Sequence, residues 1–272
     1  MINEAISASG LRAEHALYGL IIFQISSFTI AFFILVTGVL GAAPYGRYVE
    51  HQWWAGPKVP ARLSWLVQEC PAVLIPVIYV LASGHWYDMY VTKPTANSWL
   101  LLAVCIHYTY RSFIFPFLLR GSKPSSLLTT HIAMVVCSVS GLIHALAFVQ
   151  VLAYPPTWTS SPQFIIGLVL FFAGLLLNIH ADGVLRNLRK PGETGYKIPR
   201  GGLFEYVSCA NYFGEIVEWS GLALAGCSVP SSVMVVITLL NLVPRATTHH
   251  AWYKQKFEDY PSERAAIIPF IF

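Results

Sequence analysis

Seven apolar stretches, each about the 20 residues a helix needs to cross a hydrocarbon core, divide this chain and leave little outside them. They run roughly over 16–43, 65–84, 98–119, 127–154, 163–185, 206–228 and 231–256. Inside a bilayer the backbone finds no water to bond, so stretches of this kind fold as helices. The sequence therefore predicts an all-α polytopic bundle of about seven transmembrane helices. Connectors rich in Pro, Gly and charge lie between them, over 43–64, 84–97, 155–162 and 186–205. Only 11% of the 272 residues are charged, against about a quarter in a soluble domain, so no connector can form a separate globular unit. One membrane-embedded domain over 1–272 is expected.

The basic residues sort by side. With seven spans, thirteen of the 17 Lys and Arg, among them Arg47, Lys58, Arg120, Lys190 and Lys254, fall in connectors on one side. Arg12 and Lys93 fall on the other, and Arg111 and Arg245 lie inside helices. Positive residues collect on the cytoplasmic side, so the C-terminus is expected there and the N-terminus outside. The formal charge of +4 is explained by this topology and implies no nucleic-acid partner. The opening residues lack the basic region and small-residue cleavage site of a secretory signal, so the first helix is expected to be retained. The five cysteines form no CxxC pair or metal-spaced cluster, so no metal is expected and packing roles are assigned to them.

Ionisable residues inside a membrane are costly and face a cavity or a partner. Here they are numerous and ordered. Asn211, Glu215 and Glu218 follow i, i+4, i+7 spacing and share one helix face. Asn241, Arg245, His249 and Tyr253 recur every four residues. Asn178 and Asp182 are four apart, His107, Tyr108 and Arg111 cluster in the third stretch, and Gln68 and Glu69 open the second. A bland account exists, in which Glu215 or Glu218 forms a buried ion pair with Arg245 and the amides join helices. The inventory exceeds what two or three such pairs would use, and it lies toward the basic side. It reads as the wall of a polar cavity open to the cytoplasm. Together with the basic loop RNLRKPGETGYKIPR, such a cavity suits a large anionic ligand carrying phosphates. Neither GxGxxG nor GxxxxGK[ST] occurs, so a nucleotide would be held by helix-borne side chains.

At these residues the chain resembles the steroid 5α-reductase family, the 3-oxo-5α-steroid 4-dehydrogenases. The segments that carry the likeness are VPARLSWLVQECPAV, IHYTYRSFIFP, NIHADGVLRNLRKPGETGYKIPRGGLFEYVSCANYFGEIVEWSG and HHAWYKQKFEDYPSERAAIIPFIF. They reach from about residue 44 to the C-terminus, while the first helix and 121–132 match least. The resemblance implies an NADPH-dependent oxidoreductase acting on a CH–CH group, with residues from approximately 120 to 272 as its cofactor-binding half. It implies cofactor contacts at Tyr45, Asn178, Asp182, Arg189, Tyr196, Asn211, Glu215, Trp219, Arg245, His249 and Tyr253. Glu69 and Tyr108 would be the catalytic pair at the substrate ketone, with Gln68 and Trp65 beside them at the substrate.

The chemistry of an enone agrees with that assignment. Hydride addition at the β carbon builds negative charge on the carbonyl oxygen, so preorganised donors must stand there. Tyr108 supplies a phenol. Glu69 donates only when protonated, the state that burial in low dielectric favours. Rivals share parts of this pattern. A related membrane reductase for a polyprenol precursor or a trans-enoyl-CoA would share the cofactor half, and the Gln68, Glu69 and Tyr108 set separates it from a steroid enzyme. A membrane methyltransferase would need fewer phosphate-compatible groups. A proton-coupled transporter could use Glu215, Glu218 and Asp182 as a relay, but such folds often carry inverted repeats and none is seen. The expected partners are a 3-oxo-Δ4 steroid or similar lipid and membrane lipids, with the chain a monomer. It would reside as a multi-pass protein in a bacterial inner membrane or the endoplasmic reticulum.

Overall fold

The computed structural model describes residues 2–36, 56–120, 122–189, 193 and 195–272. It is 76% helical, in agreement with the all-α reading. Among the described residues, extended structure amounts to one antiparallel pairing and one parallel bridge. Lys58–Val59 (β1) pairs with Ser125–Ser126 (β2), and Val207 bridges Ala265.

Five helical spans among the described residues are long and apolar enough to cross a membrane: Ala61–Ser83, Ala96–Leu118, Leu127–Val151, Pro162–Asn187 and Val229–Lys256. The first joins α2 (Ala61–Glu69) to α3 (Pro71–Ser83) end to end. Pro71 lacks the N–H that would continue α2, and Cys70 stays helical between them. α3 stops at Gly84, whose φ of 74° is the left-handed conformation that glycine adopts without a Cβ penalty. The second span is α4 (Ala96–Thr109), then a π turn over Tyr110–Ile114, then α5 (Phe115–Leu118). α6 (Leu127–Leu146) starts on the Ser126 hydroxyl, which accepts from the Thr129 N–H. α7 (Pro162–Asn187) starts likewise on Ser161 with Pro162 in its first turn. α9 (Val229–Lys256) opens on a Ser228/Ser231 capping box and ends with Lys254 and Lys256 in its last turn, where cations complement the helix dipole.

Two of the seven expected stretches differ in outline. α1 (Ile2–Val36) begins well ahead of residue 16, because the polar run before it is also helical, and residues 37–43 fall outside the described chain. α8 (Ala210–Gly226) has only 17 residues. Its expected first turn is extended instead, since Ser208 and Cys209 donate their N–H groups to Ala265 and Ala266 oxygens at 2.9 and 3.1 Å. The C-terminal tail is thereby sewn to the segment entering α8.

α7 and α8 are in backbone contact. A Cβ built on Gly174 would stand 2.2 Å from the Glu218 nitrogen, and one on Gly214 would stand 2.6 Å from the Asn178 nitrogen. Gly167 and Gly221 make the same kind of approach to Ala225 and Phe171. Small residues allow helices to close up in this way inside a membrane. The consequence is positional: Asn178 and Asp182 on α7 are brought against Asn211 and Gly214 on α8.

Candidate active site

Polar side chains converge from α2, α4, α6, α7 and α8 on the middle of the bundle. On the α2 side, the Ser64 hydroxyl pairs with that of Thr130 at 2.7 Å and donates to Gln68 Oε1 at 3.3 Å. Gln68 Nε2 donates in turn to Glu69 Oε1 at 3.5 Å, and the Cys137 thiol donates to Glu69 Oε2 at 3.8 Å. The Glu69 carboxyl is thus approached from two sides by weak donors. Tyr108 is 4% exposed, with Cys137, Glu69 and Glu215 as acidic neighbours.

Arg111 stands between this group and α7–α8. The π turn that follows α4 carries it, and such turns recur at functional sites because they re-aim a side chain. Its guanidinium lies 4.4 Å from the Trp65 ring centroid and 4.7 Å from that of Phe115, the geometry of cation–π contact. Its Nη1 is 3.6 Å from Asp182 Oδ2. Glu69, Glu215 and Glu218 also act on it. One buried cation thus stands among four acidic side chains.

The α7–α8 wall is built from the amides and acids on the two touching helices. Asn178 Nδ2 donates to the Asn211 carbonyl at 2.9 Å, and Asn211 Nδ2 donates to Asp182 Oδ1 at 3.1 Å. On α9, Arg245 Nε donates to the Tyr212 hydroxyl at 2.7 Å, and His249 lies 6.1 Å from the same ring. Tyr253 stacks on Tyr260 at 5.4 Å. Tyr196 packs edge-on against Trp252 at 4.9 Å. Arg189 donates to the Gly195 carbonyl at 3.5 Å on the exposed rim. Tyr45 lies outside the described residues.

Glu218 departs from the ion pair with Arg245 weighed above. It pairs across to α4, with His107 Nδ1 2.7 Å from its Oε1 and both side chains buried. Among the buried polar atoms along this wall, Asn178 Oδ1 and Trp219 Nε1 make no hydrogen bond among the described residues. Buried polar groups are ordinarily paired, and this acceptor and donor suit a polar ligand offering both. No group of three His, Cys, Asp or Glu side chains among the described residues could hold a metal ion.

The end of the bundle nearest this wall is closed by the C-terminal tail. Arg264 is 2% exposed, donates to the Pro199 carbonyl at 2.9 Å and pairs with Glu205 Oε2 at 3.3 Å. The Ser208 hydroxyl meets His250 Nδ1 and the Tyr260 hydroxyl, each at 2.6 Å. The Gly201 N–H donating to Glu205, with Arg264 beside it, holds the Glu205 carboxyl below its ordinary range.

Sequence reasoning counted Arg111 in the polar wall without a specific role, gave Cys137 only a packing role and did not single out Ser64 or Thr130. For Arg111 a signal existed, because a lone arginine within an apolar span requires counter-charges. Cys137 carried none.

A family profile described as 3-oxo-5-alpha-steroid 4-dehydrogenase matches residues 123–272. The rat protein named 3-oxo-5-alpha-steroid 4-dehydrogenase 1 is 45% identical over 242 residues, covering 88% of this chain and 90% of the relative. The bovine protein of the same name is 47% identical over 232 residues, covering 85% and 89%. The pig protein named 3-oxo-5-alpha-steroid 4-dehydrogenase 2 is 41% identical over 228 residues, covering 84% and 87%.

Proposed function

The chain belongs to the 3-oxo-5-alpha-steroid 4-dehydrogenase family, and from that premise we propose that it reduces the Δ4 double bond of a 3-oxo steroid to the 5α-reduced ketone, using NADPH. Membership makes it an oxidoreductase acting on CH–CH groups. The observation that carries the finer reading is that Glu69 is among the acidic neighbours of Tyr108, while Arg111 three residues on pairs with Asp182 of the α7–α8 wall.

The wall fits such a cofactor. The orphaned acceptor Asn178 Oδ1 and the Asp182 carboxyl, which is ion-paired with Arg111, suit a carboxamide N–H or a ribose hydroxyl. Arg189, Tyr196, Arg245, His249 and Tyr253 suit phosphate oxygens, with Arg189 at the rim. Asn211, Glu215 and Trp219 complete the set, and Tyr45 is assigned to it from the resemblance. When bound, NADPH would supply a hydride to the β carbon of the enone, and a proton taken up from solvent at the α carbon would complete the saturated ketone. Tyr108 and a neutral Glu69 then donate hydrogen bonds to the ketone oxygen as it gains charge, and donors fixed in advance lose nothing to reorganisation. Gln68 orients the Glu69 carboxyl. Trp65, held between Arg111 and Phe115, forms an aromatic wall for the steroid. Burial of Gln68 and Tyr108 limits the access of water to the reacting carbons.

The same reading has one domain over 1–272, its cofactor half from about 120 onward, acting as a monomer among membrane lipids. It has seven spans, N-terminus outside and C-terminus cytoplasmic. In an endoplasmic reticulum or a bacterial inner membrane, that orientation opens the wall to cytosolic NADPH. Cysteine labelling that finds Phe272 on the far side would refute it.

The deciding assay is purified protein with NADPH and testosterone or progesterone, with products analysed for the 5α-reduced ketone. The expected result is that ketone. Turnover of a polyprenol precursor or a trans-enoyl-CoA, with no 3-oxo-Δ4 steroid reduced, overturns the reading.

A further inference from the structure

We propose that the His107–Glu218 hydrogen bond is a positioning clasp that fixes Tyr108 relative to Trp219, and through them the ketone donor relative to the cofactor wall. The inference rests on the reading of Tyr108 as a donor to the ketone. His107 and Glu218 were given no part in that chemistry.

Each partner of the bond is the chain neighbour of a site residue. His107 precedes Tyr108 on α4, and Glu218 precedes Trp219 on α8. The four side chains form one packed group. The His107 ring lies 4.9 Å from Tyr108 and 4.6 Å from Trp219, and Tyr108 and Trp219 lie 6.0 Å apart. Phe171 of α7 closes the group at 6.0 Å from Trp219. All of it is buried, with Glu218 and Trp219 at 0% exposure and His107 at 3%.

Placement on α8 is already fixed by other means. Glycine contacts lock α8 to α7 backbone to backbone, so Trp219 moves with the wall. α4 has no comparable backbone approach to α8 among the described glycines, and aromatic faces alone tolerate sliding. A 2.7 Å bond between an imidazole nitrogen and a carboxylate oxygen does not. It also costs more than apolar packing, because two polar groups must be desolvated to make it. Its return is geometric: one atom of Glu218 holds His107, and the register of Tyr108 follows one residue on.

The test replaces the pair by apolar residues of similar size, His107→Leu with Glu218→Met, which strands no buried charge and is the change such pairs tolerate best. NADPH affinity, measured by fluorescence, should stay within about threefold, since none of the side chains assigned to the cofactor is replaced. Turnover of the 3-oxo-Δ4 steroid should fall about 10- to 100-fold, the scale of a misplacement of about 1 Å. Introduced into Tyr108→Phe, the same pair should cost less than about threefold more, because the donor it positions is already gone. Equal losses in the two backgrounds overturn the clasp while leaving Tyr108 as the donor. If Tyr108→Phe alone leaves turnover unchanged, the underlying reading fails instead. Glu218→Gln gives a decision even if the double variant does not fold. Its amide can donate to or accept from Nδ1 in either histidine tautomer, so it should retain at least about tenfold more turnover than Glu218→Leu. Equal activities in those two variants overturn the proposal.

Discussion

Gly174 of α7 lies so close to the backbone of Glu218 on α8 that a side chain there would collide with main-chain atoms, a Cβ standing 2.2 Å from the Glu218 nitrogen. The obstruction is backbone and cannot swing aside as a flexible side chain would. Helix α7 must therefore keep hydrogen at this position for Asp182, two turns further on, to reach Asn211 at 3.1 Å.

Gly174→Ala should accordingly force α7 and α8 apart. Overpacking a filled interior typically costs about 1–3 kcal/mol, which should appear as a lower melting temperature in detergent together with weaker NADPH binding. Gly183, on the same helix, is the control. A Cβ there would meet only the far end of Arg186, at 3.7 Å. Gly183→Ala should be neutral, and equal losses at the two positions would refute the close-packing account.

Arg189 tests the choice of nicotinamide cofactor. The 2′-phosphate that distinguishes NADPH can be met bidentately by a guanidinium and not by a neutral side chain. Arg189 is exposed at the rim, in the basic segment after α7. Arg189→Ala should weaken NADPH much more than NADH. Parallel losses for both cofactors would assign it a general structural role.

The tail closure carries a pH signature through Glu205. Its carboxyl is held below the ordinary 4.5, first by the Gly201 N–H and then by Arg264. A depressed carboxylate contributes stability that is fully present above the unfolded value and is lost as pH falls through the folded one. Glu205→Gln should therefore lower the melting temperature at neutral pH and flatten its decline below about pH 4.5. An acid limb identical to wild type would show that the Glu205–Arg264 contact does not hold the tail. The carboxyl is half exposed, so solvent screening keeps the effect small.

The sequence revealed faces more readily than neighbours. Spacing of four placed Asn178 with Asp182 and Asn211 with Glu215, and the fold joins those two faces through Asn211 and Asp182. The same spacing gave Glu218 to that face without saying which helix lay opposite. The answer, His107 of α4, depends on tertiary packing that no local period encodes. The glycines that set the α7–α8 distance were invisible for a related reason: a glycine adds nothing to an apolar period, and its role appears only when a second backbone is in place. Val207–Cys209 read as helix on hydropathy, and pairing with 265–266 overrode that preference. Arg111 stood out as a buried charge, but its four acidic neighbours come from three different helices.

The reaction centre allows polarisation to be separated from proton supply. If Glu69 and Tyr108 donate to the ketone oxygen as charge develops, loss of one donor should lower turnover about 100- to 1,000-fold. Tyr108→Phe removes the hydroxyl and keeps the ring that packs against His107 and Trp219, so NADPH affinity should hardly change. Glu69→Gln keeps a hydrogen-bond donor and the length of the side chain while removing the acidic proton. Where hydrogen bonding dominates, it should retain clearly more activity than Glu69→Ala. If the acidic proton is what matters, Gln and Ala should be equally poor. Cys137 offers an internal check, since its thiol reaches Glu69 Oε2 from the side opposite Gln68. Cys137→Ala should loosen the carboxyl without removing it and cost less than Glu69→Ala. Enone reduction within about threefold of wild type in both Tyr108→Phe and Glu69→Ala, roughly 0.7 kcal/mol of barrier, would place the catalytic centre elsewhere.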